Sequence, residues 1–287
     1  MSKVLISADS VADLSPALAA QVGVPSFPLY ITLDDHSGRD GVEVLTRDVF
    51  DFVAKTGKLP KTSAPNFQDY VDFFTSFIDD GYEIVHFSIS ASMSSSHSVC
   101  ALAAAEMAER GGKVYPIDSL HLSTGIALLV LRAAEWRDEG LGGAEIAERI
   151  LAMREKVQTS FVLDTLQYLY KGGRCSSLAA LGANLLKLKP CIEVHDGAMD
   201  VAKKYRGKMP EVLKSYVADK LANPDSIDTS RAFLTHTFDS DDHPVLLEVK
   251  AQVQALVPFD EVIINTAGSA ISVHCGPNTM GLLYLWK

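Results

Sequence analysis

Seven serines fall within the eleven residues Ser88-Ile89-Ser90-Ala91-Ser92-Met93-Ser94-Ser95-Ser96-His97-Ser98. A hydroxyl both donates and accepts, so such a run offers several short partners to a carboxylate or a phosphate. The run follows a β-branched stretch ending at Ser88 and precedes a helical one. In an open parallel sheet, that junction places hydroxyls and free helix N–H groups where ligands collect. The plainer alternative is one capping serine and a solvated loop. Lys61-Thr62-Ser63-Ala64-Pro65-Asn66 adds a hydroxyl pair, with Pro65 placed for the first turn of a helix beginning near Asn66, so capping competes with binding there as well. Asp9-Ser10 and Asp118-Ser119 each follow an expected strand and either join the same rim or close an Asx turn.

Other chemistries find less support. Ser94 with His97 or His274 as base would make an esterase or thioesterase, yet neither serine segment reads Gly-x-Ser-x-Gly. No Gly-Lys-Ser/Thr phosphate loop occurs, and no Gly-x-Gly-x-x-Gly follows the first strand, so no cofactor is expected. The eight histidines form no His-Glu-x-x-His cluster, and no metal is expected either. Cys100, Cys175, Cys191 and Cys275 lie far apart and read as reduced thiols. Two basic patches stand out, Lys171-Gly172-Gly173-Arg174 and Lys203-Lys204-Tyr205-Arg206-Gly207-Lys208. They are either solvated turn charges or, if they converge, a surface for a phosphate or an acidic partner. His274-Cys275-Gly276-Pro277 is expected after a strand, aiming His274 into a cleft or into a structural hydrogen bond.

These residues need elements to hold them. Short β-branched runs alternate with amphipathic stretches through the first half, the pattern of a parallel sheet with crossover helices. Strands are expected at Val4–Ala8, Ile84–Ser88 and Val114–Ile117, with helices at Arg47–Thr56, Phe67–Asp79, Ser98–Arg110, Thr124–Glu139 and Ala144–Lys156. Beyond Gln158, strands are expected at Ser160–Leu163, Cys191–Val194, Ala232–Thr237 and Glu261–Thr266, with helices at Pro210–Leu221 and Pro244–Leu256. The fold class is α/β with two domains: a three-layer α/β/α domain with a parallel sheet over residues 1–157, and a smaller two-layer α/β domain with a mixed sheet over 158–287. The 287 residues, 47% hydrophobic and 22% charged, suffice for such a pair. With 26 basic against 36 acidic residues the chain carries a formal charge of -10, which disfavours nucleic acid and anionic bilayers as partners. Apolar stretches stop short of the roughly 20 residues that span a membrane. Met1-Ser2-Lys3 runs straight into Val4-Leu5-Ile6 without a secretory pattern, so a cytoplasmic location is expected.

Taken in order, these segments resemble the DegV family of bacterial fatty-acid-binding proteins, the FakB-type subunits of fatty acid kinase. The resemblance is carried by Asp9-Ser10-Val11-Ala12-Asp13-Leu14, Pro28-Leu29, Arg39-Asp40-Gly41, Thr62-Ser63-Ala64-Pro65, the serine loop, Asp118-Ser119, Leu169-Tyr170-Lys171-Gly172-Gly173-Arg174, Leu188-Lys189-Pro190, Lys204-Tyr205-Arg206 and His274-Cys275-Gly276-Pro277. It implies one long-chain fatty acid buried between two domains, its carboxylate held by Thr62, Ser63 and Ser94 with help from the Ser95 backbone and His274. It also implies that the protein is no enzyme itself: a separate ATP-dependent fatty acid kinase phosphorylates the presented carboxylate, with Arg174 and Arg206 facing that partner or the phosphate. The family usually reads Leu-Ser-Gly-Thr-Tyr where this chain has Met93-Ser94-Ser95-Ser96-His97, which adds a Cβ at Ser95 where positive φ or a close backbone approach would favour glycine. Burying a palmitate-length tail is worth on the order of 12 kcal/mol before ordering costs. The carboxylate needs several donors in exchange for its water. The dihydroxyacetone-kinase-like small-ligand domain, whose fold is similar, and the esterase are the alternatives.

Overall fold

The computed structural model describes residues 3–174 and 188–287; Cys175 lies outside them. The first half runs β1 (Lys3–Asp9), α1 (Pro16–Val22), β2 (Ser26–Phe27), β3 (Tyr30–Leu33), β4 (His36–Arg39), α2 (Thr46–Thr56), β5 (Lys61–Ser63), α3 (Phe67–Ile78), β6 (Tyr82–Ser88), α4 (Ser96–Glu109), β7 (Val114–Asp118), α5 (Thr124–Asp138) and α6 (Gly143–Met153). Strands β2-β1-β6-β7 form a four-stranded sheet, every pair parallel. Such strands are buried on both faces, which is why Ile84 to Ser88 is a solvent-free run. Helices α3 and α4 cover one face, and α5 and α6 cover the other, giving three layers.

Beyond Lys156 come β8 (Val157–Val162), α7 (Gln167–Gly172), β9 (Lys189–His195), β10 (Ala198–Tyr205), α8 (Met209–Lys220), β11 (Ile227–His236), α9 (Pro244–Leu256), β12 (Val262–Thr266), α10 (Ser269–Cys275) and β13 (Met280–Trp286). They build a six-stranded mixed sheet in the order β10-β9-β8-β13-β11-β12, in which β11 and β12 are parallel and the other pairs antiparallel. Helices α8 and α9 pack on one face of it. The other face meets α5.

That contact makes α5 the shared wall of both sheets. Ten of its 15 residues are buried, including the whole run Thr124 to Leu131. One apolar cluster accordingly extends from Ile6 and Phe87 through Leu128 to Phe161, Phe233 and Leu283.

The expected strands are found, with bounds shifted by a few residues, but several features depart from the sequence reading, among them the unexpected α1, β2 and α7. The first half carries an additional three-stranded antiparallel sheet, β4-β3-β5, which holds Thr62. Strands β10 and β13 were not expected. His274 does not follow a strand directly: it sits in the last turn of α10, a short helix between β12 and β13. No helix among the described residues is long and apolar enough to cross a membrane.

Candidate ligand-binding site

Thr62 reaches the site because β5 pairs with β3, Ile31 opposite Thr62. Thr62 and Ser63, at the end of this strand, both line the same cavity. The capping alternative for this segment is answered by Asn66, whose side chain accepts from the Asp69 N–H at 3.0 Å while Asp69 accepts from the Asn66 N–H at 2.9 Å. This reciprocal box satisfies the start of α3 and leaves both hydroxyls free of that duty.

The serine loop closes on itself in a similar way. Ser94 Oγ lies 3.0 Å from Ser96 Oγ and accepts from the Ser96 N–H at 3.2 Å. Ser95 stands at the N-cap of α4 with no side-chain capping bond, and its φ of -76 and ψ of -3 are ordinary right-handed values. The position that the family fills with glycine therefore requires no positive φ in this chain, and no strain of that kind arises at Ser95. Ser90 instead ties the loop across to the second half, donating to the Gly197 carbonyl at 2.7 Å.

His274 Nε2 lies 2.9 Å from Thr62 Oγ1. Its Nδ1 is buried with no hydrogen-bond partner among the described residues. Burial, and secondarily the Arg174 cation, push the imidazole down to about 4, so near neutral pH it is an uncharged donor or acceptor.

Thr62, Ser63, Ser94, Ser95, Arg174 and His274 all line one cavity of about 880 Å³ counted with its open mouth, within the ~300–1,000 Å³ usual for small-molecule sites. Its deeper wall is apolar: Val11, Leu29, Ile89, Met93, Leu169 and Ile271 are all buried. A second opening shares Thr62, Arg174 and His274 with it and adds Lys61 and Lys171. The polar end therefore faces a basic mouth on an acidic protein. Arg206 is exposed just past β10 and lines neither opening, so the two basic patches do not converge at this cavity.

The site's support was less visible in the sequence. Behind the loop, Tyr70 donates to Asp9 Oδ1 at 2.8 Å, His86 Nε2 lies 3.1 Å from the same oxygen, and Ser7 lies 2.9 Å from His86 Nδ1. This Ser–His–Asp chain is buried completely and lines none of the openings at Ser94. Ser94 itself has Ser96, not a histidine, as its side-chain partner. In the sequence Gly172 stands out only for its charged neighbours, yet a Cβ there would stand 2.6 Å from His274 Nδ1. Only the doubled glycine hinted at such a close approach.

Three thiols, Cys100, Cys191 and Cys275, are free and buried. Among the described residues, no group of three or more His, Cys, Asp or Glu side chains is placed to hold a metal ion.

Comparison with known proteins matches residues 3–287 to the family described as "Uncharacterised protein, DegV family". A DegV domain-containing protein of Caldanaerobacter subterraneus subsp. tengcongensis is 27% identical over 285 residues, 99% of each chain. Among solved structures, a DegV family protein from Thermus thermophilus described by its fatty acid binding superposes with a TM-score of 0.90 at 26% identity, covering 99% of this chain and 100% of that one. The fatty acid kinase B3 protein of Streptococcus pneumoniae, loaded with linoleic acid, shares the fold with a TM-score of 0.86 at 23% identity, covering 99% and 100%.

Proposed function

The chain belongs to the DegV family, and from that premise we propose that it binds one long-chain fatty acid and presents its carboxylate to a separate ATP-dependent fatty acid kinase in the bacterial cytoplasm. Residues 1–157 supply the hydroxyl loops and residues 158–287 complete the cleft. The observation that carries this reading is the pairing of Thr62 with His274 beside Ser94 at the polar end of an otherwise apolar cavity. The Thermus relative, similar over nearly its whole length, supports it.

In this reading Thr62, Ser63, Ser94 and Ser95 donate to the carboxylate, and His274, held neutral by burial, completes the set. Arg174, Lys61 and Lys171 hold the mouth positive, where the carboxylate oxygen would meet a phosphoryl donor. Arg206, remote from that mouth, is assigned to the partner surface. The protein contributes binding and orientation, and the bond-making groups belong to the kinase.

Native mass spectrometry of the purified protein tests this. The expected result is a single co-purifying fatty acid, with Ser94→Ala folding normally and binding palmitic acid about 10-fold more weakly, the scale of one hydrogen bond to a charged group. A protein that neither carries a fatty acid nor takes up palmitic acid would overturn the reading.

A further inference from the structure

We propose that Tyr70 is a positioning residue for Ser94. A buried hydrogen-bond chain from Ser94 through Ser96 and Tyr70 to Asp9 decides whether Ser94 gives a proton to the ligand head group or accepts one, and so sets which head group the site prefers. The proposal deepens the fatty-acid reading and rests on it.

The chain is anchored at its inner end. Tyr70 is wholly buried and donates its only hydroxyl proton to Asp9 Oδ1 at 2.8 Å. Asp9 is buried as well, and its Oδ2 has no hydrogen-bond partner among the described residues. An acceptor so short of donors holds the Tyr70 proton in place, because turning that proton away would deepen a deficit that already opposes folding. The Tyr70 ring packs against Phe27 and Phe74, with centroids 4.6 Å and 5.8 Å away, which keeps the hydroxyl at Asp9. With its proton committed, the Tyr70 oxygen can only accept, and the Ser96 hydroxyl is the donor that meets it.

At the outer end there are fewer protons than acceptors. Ser96 is wholly buried and owns one hydroxyl proton, with two oxygens to receive it: that of Tyr70, and Ser94 Oγ at 3.0 Å. Ser94 also owns one, and accepts from the Ser96 N–H at 3.2 Å. A hydroxyl donates once and accepts twice, so two arrangements place a proton between the serine oxygens. In the inward one Ser94 donates to Ser96 and Ser96 to Tyr70. Ser94 then turns a lone pair to the cavity, which suits a head group that donates, such as an alcohol. In the outward one Ser96 donates to Ser94 and Ser94 donates to the ligand. That suits a carboxylate and leaves the Tyr70 oxygen without a donor. The inward arrangement keeps the serine loop saturated when the cavity is empty, and a carboxylate must reverse it. The Tyr70 hydroxyl therefore works against the carboxylate by about one hydrogen bond.

The experiment is calorimetric titration of the delipidated full-length protein with laurate and with 1-dodecanol at about pH 8, where a free carboxyl is ionised. In Tyr70→Phe, which keeps the ring and its packing, laurate binds about 5-fold more tightly while 1-dodecanol gains nothing. Ser96→Ala keeps the backbone N–H that serves Ser94 and shifts laurate in the same direction, which covers a failure of Tyr70→Phe to fold. A merely structural role for these hydroxyls would weaken both ligands together. Folded variants with unchanged or weakened laurate binding would overturn the proposal alone, since the wild type still binds laurate. A wild type that binds neither ligand would overturn the fatty-acid reading and this proposal together.

Discussion

Asp13 is fully buried, and desolvation, with Asp40 close by, lifts its carboxyl to about 8 although Ser123 and the Gly268 N–H pull the other way. In the unfolded chain the same group titrates near 3.8. Between those values the folded protein holds a proton that the unfolded chain has released, so stability falls as the pH rises through that window, by up to about 1.4 kcal/mol per pH unit. Asp13→Asn keeps an acceptor for Ser123 and tolerates the left-handed φ of 53 found there. Urea unfolding at about pH 5 and about pH 8 is expected to show a drop in the wild type that the variant lacks. An equal drop in both would mean that Asp13 is already ionised in the fold. His274 has the opposite sign: its value is lowered from 6.5 to about 4, so its neutral form stabilises the protein above 6.5 and that contribution is lost as the pH falls toward 4. The substitution at Asp13 leaves that acid limb in place.

At the scale of elements, α10 joins the two halves at both ends. Its N-terminal side is held by first-half groups: Asp13 accepts from the Gly268 N–H at 3.0 Å, Asp40 accepts from the Ala270 N–H at 3.1 Å, and Ser269 donates to the Val44 carbonyl at 2.8 Å. Its last turn delivers His274 to Thr62 and packs against α7, whose final residue is Gly172. Gly172→Ala would drive a methyl into His274 Nδ1 and tilt the ring off Thr62. Palmitic acid binding is expected to weaken about 10-fold while the melting temperature moves little, and calorimetry beside thermal unfolding separates the two. Unchanged affinity would mean that the imbalance is absorbed by α7 instead. This helix was invisible in the sequence for a physical reason. Six of its seven residues are buried, so it has no polar face and no amphipathic stripe to read. Strand β13 was hidden the same way, as an unbroken apolar run. Strand β10 was masked by the opposite property, exposed lysines that blunt the edge of the sheet. The elements that were legible, such as α2 and α3, have one wet side and one dry side. The hydroxyls of Thr62, Ser63 and Ser94 were legible because loop serines and threonines beside strand ends are conspicuous, whereas Lys61 and Lys171 became neighbours only through tertiary folding.

At the scale of the whole molecule, a net charge of -10 would repel an anionic ligand were it evenly spread, and the cluster of Lys61, Lys171 and Arg174 reverses that sign locally at the opening. An approaching anion would therefore be drawn to that opening. The position of α5 bears on the protein as a unit of expression. Severing the chain after residue 157 would leave α5 in the first fragment with the surface that now meets β8, β11 and β13 bare to water, and would uncover the matching side of the six-stranded sheet in the other. Each piece made alone is expected to go into inclusion bodies, and co-expression of the pair is expected to restore a soluble complex, readable by size-exclusion chromatography. Two soluble, monomeric fragments would contradict this. A gene encoding only one of the halves would thus yield a sticky remnant, whereas the two halves made together would each supply the surface the other lacks.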